Sequence, residues 1–132
     1  MKNEKTKILV VFEDGRDTLE ALSKRMKASL VDKANVKTRC ASEVAVAEIL
    51  AADAYAFGVS DAKAPSWAEM KRLLTGMNLA GRNAAFFTDK AGATEGLKAA
   101  FVPAELTVTI KDLTSDKADG AGDWVQALIA TK

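Results

Sequence analysis

Short runs of β-branched and aromatic residues alternate with stretches of helical period along this chain, and that alternation constrains the fold more than any other feature. Ile8-Leu9-Val10-Val11-Phe12 is an unbroken apolar run ending at Glu13-Asp14-Gly15, which is how a strand buried on both faces enters a loop. From Asp17 onward Leu19, Leu22, Met26 and Leu30 recur at helical spacing, with Asp17 or Thr18 placed to cap the first turn. Val36 to Cys40 alternates like a strand with one wetter side, and Ser42 can cap a second helix carrying Val46, Ile49 and Leu50. Ala54 to Ser60 reads as another buried strand. Ser66 stands three residues before Glu69, a capping box for a helix that presents Trp67, Met70, Leu74 and Met77. Gly81-Arg82 turns into a strand over Ala84 to Thr88, and Thr94 to Val102 makes a helix stopped by Pro103. Leu106 to Ile110 is the next strand and Trp124 to Ala130 the closing helix. Five βα units joined by right-handed crossovers in 132 residues predict one α/β domain, after a polar tail over residues 1–6. Its architecture is a three-layer, doubly wound, five-stranded parallel sheet in the order 2-1-3-4-5. Such sheets bind ligands at the carboxyl ends of their strands, so the loops to watch are Glu13 to Thr18, Ser60 to Pro65 and Asp89 to Gly96.

Composition narrows the function by exclusion. Nineteen basic residues against 18 acidic ones leave a charge of +1 and no basic face for phosphate backbones, so no nucleic-acid partner is expected. The absence of histidine removes Ser-His-Asp, Cys-His and zinc-hydrolase chemistry, and no catalytic residue is assigned. Cys40 is the single cysteine, which excludes an intrachain disulfide and suits a reducing compartment. The apolar run at Ile8 to Phe12 is too short for a signal-peptide core or a membrane span. A cytoplasmic monomer or weak dimer with no membrane partner is expected. Tyr55, Phe57, Trp67 and Trp124 all sit at core-facing positions of their elements, and Gly120-Ala121-Gly122 marks a helix start.

Two segments carry a family resemblance. Ala52-Asp53-Ala54-Tyr55-Ala56-Phe57-Gly58-Val59-Ser60 is similar to the Asp-led third strand of flavodoxins, and Leu79-Ala80-Gly81-Arg82-Asn83-Ala84-Ala85-Phe86-Phe87 resembles their Leu-x-Gly-Lys lead-in to the fourth. The chain thus resembles a flavodoxin from Lys7 to Lys132, which implies a flavodoxin-like sheet, flavin mononucleotide (FMN) as cofactor, and one-electron transfer to a protein partner. In that family a Thr-Gly-Asn-Thr type loop after the first strand wraps the FMN phosphate, and side chains after the third and fourth strands sandwich the ring. Carried over by position, the resemblance implies cofactor contacts from Asp14, Gly15, Arg16, Asp17 and Thr18 in the first loop. Ser60, Asp61 and Ala62 would contribute from the second loop, and Thr88, Asp89 and Lys90 from the third. This sequence departs from the pattern. Arg16, Asp17, Thr18 and Leu19 stand at the four phosphate-binding positions, Asp14 and Asp17 would oppose a phosphate dianion, and neither ring loop holds an aromatic residue. The first reading is therefore a protein of electron-transfer lineage with weak or absent FMN binding and an interaction or regulatory role. The second is a working FMN carrier in which Arg16, Thr18 and backbone N–H groups hold the phosphate.

The acids at the strand ends support a third reading. In the order 2-1-3-4-5, Glu13, Asp14 and Asp61 converge, and clustered carboxylates suit Mg²⁺. Glu13 with Asp14, Asp61, Thr88 and Lys111 resemble the acids, phospho-acceptor, Thr and Lys of a response-regulator receiver. Pro65 lies four residues after Asp61 as in that family, whereas Asp112 stands where it has proline.

Overall fold

A computed structural model of the chain describes residues 6–108 and 110–130. The polar tail expected over residues 1–6 lies outside these as far as residue 5, and Thr6 opens the first strand. The described elements are β1 (Thr6–Phe12), α1 (Asp17–Ser29), β2 (Ala34–Cys40), α2 (Val46–Ala51), β3 (Ala54–Val59) and α3 (Ala68–Thr75). They continue with β4 (Asn83–Thr88), α4 (Thr94–Ala100), β5 (Thr107–Val108), β6 (Leu113–Thr114) and α5 (Ala121–Ala130). The strands form one parallel sheet in the order β2-β1-β3-β4-β5, with β6 also paired to β4.

Period-two alternation along three central strands builds two separate cores. Leu9, Val11, Tyr55, Phe57, Val59 and Phe86 face Ile49 of α2, Trp67, Met70 and Leu74 on and before α3, and Leu97 and Phe101 at α4. Ile8, Val10, Ala54, Ala56, Ala85 and Phe87 face Leu19, Leu22, Met26 and Leu30 of α1 and Val125 and Leu128 of α5. The second face is built from small residues on β3, and Phe87 fills the space they leave. A methyl group on Gly58 would sit 2.4 Å from Phe87 Cε2, so this position requires glycine for close approach. On the first face Phe57 centres an aromatic cluster, 4.9 Å from Phe101, 5.4 Å from Phe86 and 5.9 Å from Tyr55.

Four sequence expectations are corrected. The fifth strand, expected over Leu106 to Ile110, is two short segments, of which Thr107 and Val108 are exposed; residue 109 of that span lies outside the described residues. Ser42 does not cap α2. It sits in a single 3-10 turn, Ala41–Glu43, and α2 is a short helix whose Val46 and Leu50 face outward. Besides the buried Ile49, what holds α2 is polar. Glu48 accepts from Ala45 N at 3.0 Å and Arg39 Nε at 2.8 Å, and Arg82 Nη1 donates to the carbonyls of Leu50 (3.0 Å) in the last turn of α2 and Ala52 (3.1 Å) just past it. Ser66 makes no capping bond either. A 3-10 turn, Pro65–Trp67, leads into α3, and Glu69 instead forms a two-point pair with Arg72 at 2.9 and 2.6 Å. Finally, α5 begins at Ala121, just past Gly120, three residues before Trp124.

Candidate functional site

The carboxyl ends of β1, β3 and β4 carry the three loops singled out by sequence, and Glu13 ties two of them together. Its N–H continues the sheet ladder to Gly58 O at 2.9 Å, so its side chain enters at the start of the loop after β1. That side chain is buried. Oε1 accepts from the backbone N–H groups of Ser60 and Asp61, both at 2.8 Å, and from Trp67 Nε1 at 3.1 Å. Oε2 accepts from Arg16 Nε at 3.0 Å. A carboxylate can be buried in this way because four donors converge on it and one of them carries the compensating charge. Arg16 takes the N-cap position of α1 with extended backbone and no side-chain capping bond. Its hydrogen bond to Glu13, then the Glu13 charge and more distantly Asp89 and Asp61, raise its pKa further above its ordinary value.

The remaining loop side chains mostly close on their own neighbourhood. Asp14 turns toward the end of β2, where it accepts from Ser42 N at 3.0 Å and from the Ser42 hydroxyl. Asp61 Oδ1 accepts from Lys63 N at 2.9 Å, and Thr88 Oγ1 both accepts from Lys90 N and donates to Lys90 O at 3.0 Å. Gly92 adopts φ +85° in the loop after β4, and a methyl on Gly96 would meet Ala62 Cβ at 2.9 Å, so α4 starts hard against the loop after β3. Between the two loops lies an open cleft of about 670 Å³, lined by Arg16, Ser60, Asp61, Ala62, Lys63, Lys90, Ala91, Gly92 and Ala93.

Of the expected cofactor-binding residues, Arg16, Ser60, Asp61, Ala62 and Lys90 line this cleft. Asp14 and Gly15 line a different depression, beside Cys40 and Glu20, while Asp17, Thr18, Thr88 and Asp89 do not line the cleft. Lys63, Ala91, Gly92 and Ala93 line it as well; they fall inside the loops singled out by sequence but were not among the expected contacts. Sequence reasoning took Glu13 for a loop acid and assigned Trp67 to the core without its indole hydrogen bond. Trp67 is fully buried, as its helix-face spacing with Met70 and Leu74 predicts.

The Mg²⁺ expectation is corrected by the same geometry. Glu13 points inward onto N–H donors, Asp14 toward Ser42, and Asp61 onto its own loop. Among the described residues no group of three or more His, Cys, Asp or Glu is placed to hold a metal ion. Lys111 does not stand at the end of a fifth strand as in a receiver; it falls between β5 and β6, where its carbonyl accepts from Trp124 Nε1 at 2.6 Å. Cys40 is partly buried at the end of β2, and burial first, then the Glu43 hydrogen bond and nearby acids, push its thiol pKa up.

The sheet order, the helices on both faces and a cleft at the strand ends define a doubly wound, three-layer α/β sandwich. Among solved structures it is similar to a Streptococcus pneumoniae flavodoxin, with TM-score 0.80 and 13% identity over 96% of this chain and 100% of that one. Flavodoxin 2 from Bacillus cereus gives 0.79 and 16% over 96% and 100%, and a short-chain flavodoxin associated with a bacterial microcompartment gives 0.73 and 17% over 96% and 98%. No family model and no curated protein matches the sequence. The chain has the flavodoxin fold. Among the described residues no helix is long and apolar enough to cross a membrane.

Proposed function

We propose that this chain is a flavodoxin-fold protein of electron-transfer lineage whose cleft does not grip FMN, and that it acts as an interaction or regulatory domain toward a protein partner. The buried Glu13 carboxylate carries this reading. Glu13, at the head of the loop that would wrap a cofactor phosphate, takes up the Arg16 Nε donor of that loop and the Ser60 and Asp61 N–H groups of the loop that would flank the ring. Asp17 adds negative charge in the first turn of α1, where a dianion would need the helix dipole unopposed. The ring side fits no better. The cleft lining holds no aromatic side chain, and the one nearby indole, Trp67, is buried with its N–H on Glu13. The residues present do not fit FMN on either side.

A second reading, an electron carrier that holds FMN through Arg16, Thr18 and backbone N–H groups, has one observation in its favour: Arg16, Lys63 and Lys90 all border the cleft. A fluorescence titration of the purified protein with FMN, with riboflavin as the phosphate-free control, separates the two. Binding of neither flavin is the expected result. FMN binding at micromolar Kd or tighter, about 8 kcal/mol or more, with riboflavin ignored, overturns the first reading.

A further inference from the structure

We propose that the cleft between the loops after β3 and β4 binds a phosphate monoester that carries no fused ring system. The inference rests on the reading above that FMN is not the ligand, and it comes from counting donors and acceptors. Ser60, Asp61, Lys63, Lys90 and Ala93 spend their backbone N–H groups within the protein, but a second set of donors around this cleft has no protein partner. Among the described residues, neither the Lys63 nor the Lys90 ammonium makes an ion pair or hydrogen bond, and Arg16 engages Glu13 only through Nε, leaving its terminal nitrogens free. The backbone N–H groups of Ala62, Ala91 and Gly92 likewise form no hydrogen bond among the described residues. The single carboxylate of the lining, Asp61, has one oxygen already taken by Lys63 N.

Such a surface calls for an acceptor-rich, negatively charged group. Lining side chains of alanine and glycine leave the backbone N–H groups approachable, and the φ +85° of Gly92 gives the loop after β4 the turn that anion-binding loops use. A phosphate monoester offers up to three terminal oxygens and close to two charges, enough for both lysines and a backbone donor at once. A fused aromatic ring would find no side chain to stack on. Glu13, Asp61 and Asp89 balance the charges of Arg16, Lys63 and Lys90, so attraction for an anion rests on the placement of the unpaired donors and not on an excess of positive charge. The phosphate can come from a small metabolite or from a phosphorylated side chain of a partner protein.

The test uses the whole chain, ¹⁵N-labelled, titrated with glycerol 3-phosphate and with a short phosphoserine peptide, against glycerol and the unphosphorylated peptide. Saturable shifts of the Ala62, Lys63, Ala91 and Gly92 amides with the phosphorylated probes alone are expected. Tighter binding of the peptide supports a protein source for the phosphate, and equal or tighter binding of glycerol 3-phosphate supports a metabolite. The Lys63→Ala/Lys90→Ala double variant should weaken binding at least about tenfold, whereas Lys24→Ala/Lys27→Ala on α1 should leave it unchanged. Absence of saturable shifts up to about 10 mM probe, or equal binding by the double lysine variant, overturns the inference. This failure is distinct from failure of the functional reading, which only tight FMN binding produces.

Discussion

Replacing Glu13 by alanine is the sharpest perturbation the structure offers. The substitution strands the Ser60 N–H and the Trp67 indole N–H in the interior and leaves the Asp61 N–H half-buried. Each orphaned donor costs about 1–3 kcal/mol, less whatever water recovers by entering the vacated space. Arg16 contributes little to the loss, because its half-exposed guanidinium can return to solvent. The sum is about 3–5 kcal/mol, the range found when one partner of a buried charged pair is removed. Glu13→Gln keeps an acceptor for the three N–H groups but sets an amide N–H₂ against Arg16 Nε, so about 1–2 kcal/mol is expected. Urea unfolding followed by tryptophan fluorescence and far-ultraviolet circular dichroism, with m held as a check on two-state behaviour, reads both values. Added formate should partly restore the alanine variant, since a small oxyanion that binds only the folded state stabilises it by mass action. A loss below about 1 kcal/mol for Glu13→Ala, or equal losses for both variants, would refute the claim that charge-assisted hydrogen bonding at this carboxylate organises the loops.

Two further outcomes follow from the packing and the charges. Gly58→Ala places a methyl 2.4 Å from the Phe87 ring in the α1/α5 core and should cost about 1–3 kcal/mol in the same urea assay. Gly76→Ala, whose methyl meets nothing closer than 3.8 Å at φ −96°, serves as the near-neutral control. Burial pushes the Glu48 carboxyl up, but the Ala45 N–H together with Arg39 and Lys37 outweighs it and holds the folded-state pKa below the ordinary glutamate value. A group depressed on folding stabilises above its unfolded pKa, about 4.3, and loses that contribution as pH falls through the lower folded value. Wild type should therefore exceed Glu48→Gln in stability at neutral pH, and the gap should close as pH falls through the lowered folded-state pKa; a gap independent of pH would count against the ion pair.

What was legible in the sequence is what depends on side-chain type. The unbroken apolar runs at Ile8 to Phe12 and Ala54 to Val59 announced central strands, and the helical spacing of Trp67, Met70 and Leu74 announced a core face, because burial selects apolar residues at fixed period. The break between β5 and β6 left no such mark: Leu106 to Ile110 has strand-like alternation, yet at the sheet edge Thr107 and Val108 bury nothing and pairing stops. Ser42 and Ser66 illustrate the limit of capping motifs, since in each case a 3-10 turn intervened and the hydroxyl was not used for the helix.

Glu13 was illegible for a deeper reason. Its partners at Ser60 and Asp61 are backbone N–H groups 47 and 48 residues away, which any residue but proline would supply, and its third partner is an indole whose burial already had a sufficient apolar explanation. No residue type at positions 60 or 61 could have announced the contact. The fold and the site thus draw on different residues. The aromatic rings Phe57, Phe86, Trp67 and Phe101 are committed to the core, while the cleft lining is alanine, glycine, serine and charge. A sheet whose stability is secured on its two buried faces can exchange its loop residues at little cost, so agreement of the backbone with flavodoxins across 96% of the chain at 13% identity constrains the core far more than the ligand. The ligand has to be read from the donors that remain unpaired once Glu13 has taken its own.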